Sequence, residues 1–361
     1  MKKLIQLIIL FISFAYSKGG IVSGFISDSS SGEALIGANV MIQETGQGMA
    51  TDINGYYIIQ NINPGSYTLM ASYVGFRVSR IQIIISDEES IKKDIEMVED
   101  LVQLTQVDVT AEKLQRRNNI QPSKINLSPR MMKAAPALAE PDLFRTIQAL
   151  PGVLTTSEYS TGLVIRGGNT DQNLIMLDGI TVYNPSHLGG VFSNFIVDGV
   201  KEAELIKGAY NAEYGGRLSA VLNVISREGN QKEFKGKANI SLLSAQTTLE
   251  GPFYKGAWIL SGRRTYFDLV LPKVLPDNIA TNIPPYFFYD VQGHIFSDIS
   301  SKDRFSLSYY TGIDDILFDT FGLDGRWGNN TISGHWRRVF SERLVGNFLV
   351  ANSNFRTCLL Y

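Results

Sequence analysis

The last third of the sequence consists of strand-length segments in which polar and apolar residues alternate. Residues 235–242, 286–298 and 304–310 all follow this pattern, and Phe305, Leu307 and Tyr309 form the apolar side of the third segment. A strand that alternates in this way presents one face to an apolar medium and the other to a polar one. The pattern therefore restricts this region to a sheet with two unlike faces, either the wall of a membrane barrel or a layer of a soluble sandwich.

Connection lengths favour the barrel. We predict strands at 235–242, 245–253, 257–266, 286–298, 303–313, 330–340 and 344–355. Beyond the first hairpin, every second connection is long, namely 267–285 and 314–329, as expected when turns on one side of a membrane are tight and loops on the other are extended. A plugged barrel has about 22 strands, and an open edge in hydrocarbon costs several kcal/mol per unpaired backbone group. We therefore expect this chain to be the N-terminal portion, or a truncated form, of a longer protein.

The N-terminus predicts export. Residues 1–17 read as two lysines, an apolar run and small residues at the cleavage positions, which is typical of a signal peptide ending before Lys18. The alternative is a membrane anchor, but the apolar run falls short of the ~20 residues that a spanning helix needs. Cys358 is the single cysteine, so an intrachain disulfide is excluded, and a net charge of −2 does not provide the basic surface that nucleic-acid binding requires.

Residues 18–98 alternate short apolar runs with turn signals, which predicts a small all-β sandwich. The turns include Asp52-Ile53-Asn54-Gly55 and Asn63-Pro64-Gly65. The segments GEALIGANV and TDINGYYIIQNINPGSYTLMASYVGF resemble the carboxypeptidase-regulatory-like domain, which implies a transthyretin-like β-sandwich.

Residues 131–230 mix structure types. Apolar spacing predicts a short helix over 141–150, and strand-length runs follow, with Asp178-Gly179 as a hairpin signal. Four segments in order, LPGV (150–153), IRGG (165–168), LDGITVYNPSHLGGVFS (177–193) and ELIKGAYNAEYGGRLSAVLNVIS (204–226), resemble the plug domain of TonB-dependent outer-membrane receptors. The plug motif comprises Arg166, Gly167, Gly168, Asp178, Gly179, Gly215, Gly216 and Arg217.

The resemblance suggests that Arg166 in the IRGG segment faces carboxylates on the barrel wall. Arg145 and Arg217 are further candidates, and ordinary surface arginines are the alternative for all three. The segment around Gly215 and Gly216 is better explained as a turn that positions the last plug strands.

Residues 99–130 are charged and rich in Gln and Asn, which indicates a linker. Within it, Val107, Asp108, Val109, Thr110 and Ala111 form a strand-like segment that could add to the sheet edge of another protein or be the last strand of the sandwich. The resemblance favours the first reading, because VDVTA is similar to the TonB box, by which such receptors engage the energy transducer.

No enzymatic motif is found. His187, His294 and His335 lie far apart and fit no zinc spacing, and Ser90-Ile91-Lys92-Lys93 matches SxxK only on a charged surface strand. We predict a non-enzyme without cofactor or metal.

The expected fold is mainly β: a transthyretin-like β-sandwich (18–98), a TonB-box segment and linker (99–130), a small α+β plug domain (131–230) and the first strands of an antiparallel transmembrane β-barrel (231–361). The resemblance implies a Gram-negative outer-membrane transporter that imports a nutrient. Implied partners are a TonB-type energy transducer in the periplasm, outer-membrane lipid, the nutrient and, in some relatives, a surface lipoprotein lid. A surface binding or signal-transducing receptor and a soluble adhesion protein are the alternatives.

Overall fold

The computed structural model describes residues 19–86, 89–100, 123–135, 140–157, 160–241, 243–274, 276, 284–300, 302–318, 323–341 and 344–360. The chain forms two compact units, Met1–Ile120 and Gln121–Tyr361. The predicted signal peptide (1–17) and the TonB-box candidate (107–111) lie outside the described residues. Among those described, no helix has the length and apolar character to span a membrane.

The first unit is a β-sandwich, as predicted. Its strands are β1 (Gly20–Asp28), β2 (Asn39–Ile42), β3 (Gly48–Ala50), β4 (Tyr56–Ile62), β5 (Gly65–Ser72), β6 (Ser79–Ile85), β7 (Ser90–Lys92) and β8 (Ile95–Met97). One sheet has the order β4-β1-β7, with β8 also pairing with β1, and the other has the order β3-β2-β5-β6.

Alternation places one side of each strand between the two sheets of the sandwich. The core includes Val22, Ile26, Val40, Ile42, Tyr57, Leu69, Ile83, Ile85 and Met97. Full burial of such side chains contributes about 1.5–3 kcal/mol each. The predicted turn before β4 is also present, because Asp52 Oδ1 accepts hydrogen bonds from the amides of Asn54 and Tyr56, both at 2.8 Å.

The plug occupies the first part of the second unit. Its strands are β9 (Lys124–Leu127), β10 (Val153–Thr155), β11 (Leu163–Ile165), β12 (Leu174–Leu177), β13 (Ile180–Thr181), β14 (Ser186–His187), β15 (Phe192–Ser193), β16 (Val200–Ile206) and β17 (Val221–Ser226). The helices are α1 (Pro129–Ala134) and α2 (Leu143–Gln148). The main sheet has the order β13-β12-β17-β16-β9, with β12 and β17 parallel.

Strand β9 lies inside the range that sequence reasoning assigned to a linker. It pairs antiparallel with β16, from Lys124 opposite Ile206 to Leu127 opposite Ala203. Four residues in a polar passage give too short a pattern to be recognised, and the pairing strand lies far along the chain. Helix α2 and the Asp178-Gly179 hairpin are confirmed. Asp178 and Gly179 both have positive φ, at 50° and 79°, which is the conformation that a tight two-residue hairpin requires.

The second part of this unit is a seven-stranded antiparallel sheet, which we call the wall. Its strands follow one another in chain order. They are β18 (Lys235–Ile240), β19 (Ser244–Phe253), β20 (Gly256–Thr265), β21 (Tyr286–Asp298), β22 (Asp303–Phe318), β23 (Leu323–Ser341) and β24 (Leu344–Leu360). Helix α3 (Phe267–Val274) begins the long connection predicted at 267–285.

The long loop predicted at 314–329 is wrong. Strand β22 continues to Phe318 and β23 begins at Leu323, so the two strands pair through most of the predicted loop. Within this stretch, Gly328 lies where two paired strands approach each other closely. A Cβ at Gly328 would lie 2.2 Å from the carbonyl oxygen of Gly312. Glycine is therefore required there by packing and not by a turn.

Candidate functional site

The two faces of the wall are chemically opposite. Strand register places Ser261, Gln292, Tyr310 and Thr331 side by side on the inner face, and Leu260, Tyr309 and Ile332 on the outer face. Buried polar residues of the wall include Ser261, Arg263, Asp290, Gln292, Ser308, Asp314, Thr331 and Ser333, whereas Leu260, Phe305, Leu307, Tyr309, Ile332 and Phe348 are exposed. This distribution of buried polar and exposed apolar side chains is the reverse of that in a protein surrounded by water, where apolar side chains are buried. It suits a wall with lipid outside and the plug inside.

Arg263 lies at the centre of the contact between plug and wall. Its Nε donates to Asp290 Oδ2 at 2.8 Å, and Asp290 is its cross-strand partner on β21. Its Nη1 donates to Glu140 Oε1 of the plug at 2.7 Å, and its Nη2 donates to the carbonyl oxygen of Ser193 at 2.7 Å. One buried guanidinium thus joins a wall carboxylate, a plug carboxylate and the plug backbone.

His187 forms the second half of the same network from the plug side. Its Nδ1 lies 2.8 Å from Asp314 Oδ2 and its Nε2 lies 2.8 Å from Asp290 Oδ1. The imidazole stacks on Phe288 with 4.1 Å between ring centroids and 5° between planes. The side chains of His187 and Asp290 are 1% and 0% exposed, so the contact is shielded from water.

The surroundings of His187 set its charge. Burial alone would lower the pKa of His187, but the carboxylates of Asp290 and Asp314 outweigh burial, so the pKa lies above its ordinary range. A protonated imidazole can donate from both ring nitrogens. The arrangement therefore favours an imidazolium between two carboxylates.

Other wall side chains hold the plug mainly through its backbone carbonyls. Gln292 Nε2 donates to the Gly199 oxygen at 3.3 Å, Asn329 Nδ2 to the Asn184 oxygen at 2.5 Å and Ser353 Oγ to the Thr181 oxygen at 2.6 Å. Ion pairs at the end of the plug add Arg227 with Glu250 at 2.7 Å and Arg304 with Glu228 at 3.0 Å. The contact thus combines the network around Arg263 and His187, which we call the charged centre, with separate hydrogen bonds and ion pairs.

The structure places the predicted plug motif within the plug itself. Arg166 has a positive φ of 50°, and its Nη2 donates to Ser123 Oγ at 2.9 Å. Its pairing with a wall carboxylate stays a prediction. Arg217 donates to the Gly216 carbonyl oxygen at 3.0 Å.

Asp178 fixes the β12–β13 hairpin to the end of β17. Its carboxylate accepts from the amide of Ser226 at 2.8 Å and from the Ser226 hydroxyl at 2.7 Å. The Asp178 carbonyl oxygen also lies 3.1 Å from His335 Nε2 on the wall. Asp178 is thus a residue of the predicted plug motif that contacts the wall directly, through its backbone carbonyl oxygen.

Sequence reasoning missed the charged centre. It considered His187 only as a metal ligand and gave no role to Glu140, Arg263, Asp290 or Asp314. A usable signal existed, because Arg263 and Asp290 are charged residues in the middle of alternating strands, on the polar side. Within the described part of the chain, no group of three or more His, Cys, Asp or Glu side chains is placed to hold a metal ion.

Comparison with known proteins agrees with this architecture. The CarboxypepD_reg-like domain matches residues 22–109, and the TonB-dependent Receptor Plug Domain matches residues 127–221. The first match ends inside the predicted TonB-box segment, 107–111. The structure contains a folded plug packed on the polar face of an antiparallel wall. This arrangement defines the class of the protein as a plugged receptor.

Two proteins with similar sequences are named as a TonB-dependent receptor and a TonB-dependent transporter. The chain is 28% identical over 233 residues to TonB-dependent receptor P26 of Formosa agariphila, covering 60% of this chain and 22% of the relative. It is 23% identical over 241 residues to TonB-dependent transporter Oar of Myxococcus xanthus, covering 63% of this chain and 22% of the relative. The matched region thus spans about a fifth of each relative's length. The chain thus contains a CarboxypepD_reg-like domain and a TonB-dependent receptor plug domain, and over this region it is similar to TonB-dependent receptors.

Among solved structures, the siderophore receptor PirA from Pseudomonas aeruginosa is similar with a TM-score of 0.49 and 17% identity. That match covers 66% of this chain and 42% of PirA.

Proposed function

We propose that this protein is an outer-membrane receptor that imports a nutrient, and that an energy transducer drives import by moving the plug. The inverted wall carries the proposal. Its outer face exposes apolar side chains such as Leu307 and Ile332, while its inner face presents polar groups to the plug. Outer-membrane lipid is the medium that matches the outer face. Residues 1–17 would direct export to that membrane.

The contact between plug and wall is suited to release. Arg263, His187 and the wall amides hold the plug by hydrogen bonds and ion pairs, which water can replace once the contact opens. An apolar contact of equal area would offer no such replacement. These polar contacts can therefore hold the plug at rest and be replaced by water on opening, whereas the packing of Phe192 on Tyr286 and Phe288 would be lost without replacement.

We assign the pulling point to residues 107–111, Val-Asp-Val-Thr-Ala. A segment of this kind can bind the transducer by adding a strand to its sheet, in which backbone hydrogen bonds provide affinity. Force on this segment reaches the plug through β9, which pairs with β16 in the main plug sheet. The motif residues Arg166 to Gly168, Asp178, Gly179 and Gly215 to Arg217 would keep the turns of the plug in shape during that movement.

The test is binding of the purified protein to the periplasmic domain of a TonB-type transducer from the same organism. Deleting residues 107–111 should abolish binding, whereas deleting residues 112–116 shortens the chain equally and should preserve it. Cell fractionation should recover both variants in the outer membrane. Unchanged transducer binding after the 107–111 deletion would contradict the import mechanism, and recovery of the intact protein in the soluble fraction would contradict the membrane assignment.

A further inference from the structure

The position of His187 implies an additional proton. Each ring nitrogen lies 2.8 Å from a carboxylate oxygen, Nδ1 from Asp314 and Nε2 from Asp290. A hydrogen bond at each contact needs one proton between each pair of atoms. Neutral imidazole supplies one proton and ionised carboxylates supply none. Both hydrogen bonds therefore require two protons on these three side chains. A neutral histidine and two ionised carboxylates carry one, so one additional proton is needed.

The groups around His187 cannot easily replace that proton. Tyr310 Oη donates to Asp290 Oδ1 at 2.8 Å, and the Tyr286 hydroxyl donates to Asp314 Oδ1. The titratable and charged groups that face His187 are Arg263 on β20, Asp290 and Tyr286 on β21, Asp314 and Tyr310 on β22, and Glu140 of the plug. If His187 lost its extra proton, one unprotonated ring nitrogen would face a carboxylate oxygen, with two lone pairs opposed, in a buried site.

The backbone beside His187 is held in an unfavourable conformation by the same carboxylate. Leu188 has a φ of +50°, which side chains other than glycine rarely adopt, and Gly189 and Gly190 follow at +62° and +107°. The Leu188 amide donates to Asp314 Oδ1 at 3.0 Å and to the Tyr286 hydroxyl at 2.9 Å. Asp314 thus grips both the imidazole and the strained backbone, and weakening one contact releases the other.

We propose that residues 186–190 form a proton-dependent latch, closed by the imidazolium of His187 between Asp290 and Asp314 and weakened when that proton is lost. We call it the His187 latch. It deepens the proposed function, because opening the latch is part of moving the plug. A group whose pKa is raised in the folded state stabilises that state below its unfolded pKa, about 6.5 for histidine, and loses this effect as pH rises through the folded pKa. The latch is therefore closed below about pH 6.5, and it weakens as pH rises through the folded pKa of His187, which lies above that value.

Hydrogen exchange followed by mass spectrometry tests the latch in the full chain. Exchange of the 186–193 peptide, corrected for the intrinsic effect of pH, should accelerate about tenfold or more between pH 6 and pH 10. Tenfold corresponds to the loss of one charge-assisted hydrogen bond. Exchange of the 143–150 peptide in α2 serves as the internal reference and should not change.

Two variants distinguish the latch from general loosening. In Asp314→Asn, the new amide can donate to Nδ1 of a neutral imidazole while Nε2 donates to Asp290, so protection should persist and the pH dependence should disappear. In His187→Gln, only one end of the side chain can donate, so exchange should be fast throughout the pH range. Asp315→Asn is the matched control, because Asp315 pairs with Arg326 and not with His187. It should behave like the wild type.

Wild-type exchange that does not vary with pH, or pH dependence that survives Asp314→Asn, would overturn the latch. The wild-type pH series alone decides this if a variant fails to fold. Transducer binding is measured separately, so a pH response without transducer binding would remove the proposed function and keep the latch. Transducer binding without a pH response would remove the latch and keep the proposed function.

Discussion

Replacement of Arg263 by methionine removes the centre of the contact between plug and wall. The guanidinium is buried and donates to Asp290, to Glu140 and to the Ser193 carbonyl oxygen. Methionine has a similar length but no donors, so Glu140 would remain buried without its cation and Asp290 would keep only the imidazolium of His187 as a cation. Breaking a buried ion pair from one side costs about 3–5 kcal/mol. We expect the plug to open more easily by that free energy.

Hydrogen exchange of plug peptides measures this opening directly. A loss of 3–5 kcal/mol corresponds to exchange that is faster by roughly two to three and a half orders of magnitude in segments around Glu140 and Ser193. Arg264→Met provides the matched control. Arg264 is the next residue, its side chain is 41% exposed, and its ion pair with Asp268 is worth only about 0–1 kcal/mol.

The reasoning would be refuted if Arg263→Met and Arg264→Met had similar effects. That result would mean that Asp290 and Glu140 are neutral or hydrated at rest. The double variant Arg263→Met with Glu140→Gln offers a second check, because removing the stranded charge should restore part of the lost free energy.

Two further predictions concern single elements of the fold. Asp178→Ala should destabilise the second unit by about 1–3 kcal/mol, because the Ser226 amide and hydroxyl lose their acceptor, and thermal unfolding should occur at a lower temperature. Asp171→Ala is the control and should have little effect, because Asp171 is exposed. Equal effects of the two variants would argue against a role for the Asp178 carboxylate. Leu69→Ala should destabilise the first unit by about 2–5 kcal/mol, because Leu69 is fully buried between the two sheets. Hydrogen exchange of peptides within 22–97 should become faster in this variant. Unchanged hydrogen exchange would mean that the sandwich core is packed differently.

Local patterns were sufficient for most of the strands. Alternation located the wall strands because each strand has a wet and an apolar face, and Asp178-Gly179 identified a hairpin because few residue pairs adopt positive φ so readily. The same local reasoning failed at 314–329. There Asp314, Asp315, Asp324, Gly325 and Gly328 belong to paired strands, and the sequence of one segment does not show which strand pairs with it.

Local reasoning could have marked Arg263 and Asp290 as charged residues on the polar side of their strands, but it could not pair them with Glu140 and His187. His187 lies 103 residues from Asp290 and 127 from Asp314, and Glu140 lies 123 from Arg263. Each residue has an ordinary explanation in its own segment. Only the folded arrangement of plug and wall brings the opposite charges together, and a single sequence contains no record of such pairs.

The position of Asp290 beside Arg263 on adjacent strands has a consequence for how the grip on the plug can evolve. This pair is complete within the wall, so the proposed movement of the plug would leave it intact. Within this network, the plug residues that would have to exchange their wall partners for water are Glu140 and His187. In the proposed mechanism, substitutions at these two sites change the free energy of opening and leave the Arg263–Asp290 pair of the wall unaltered.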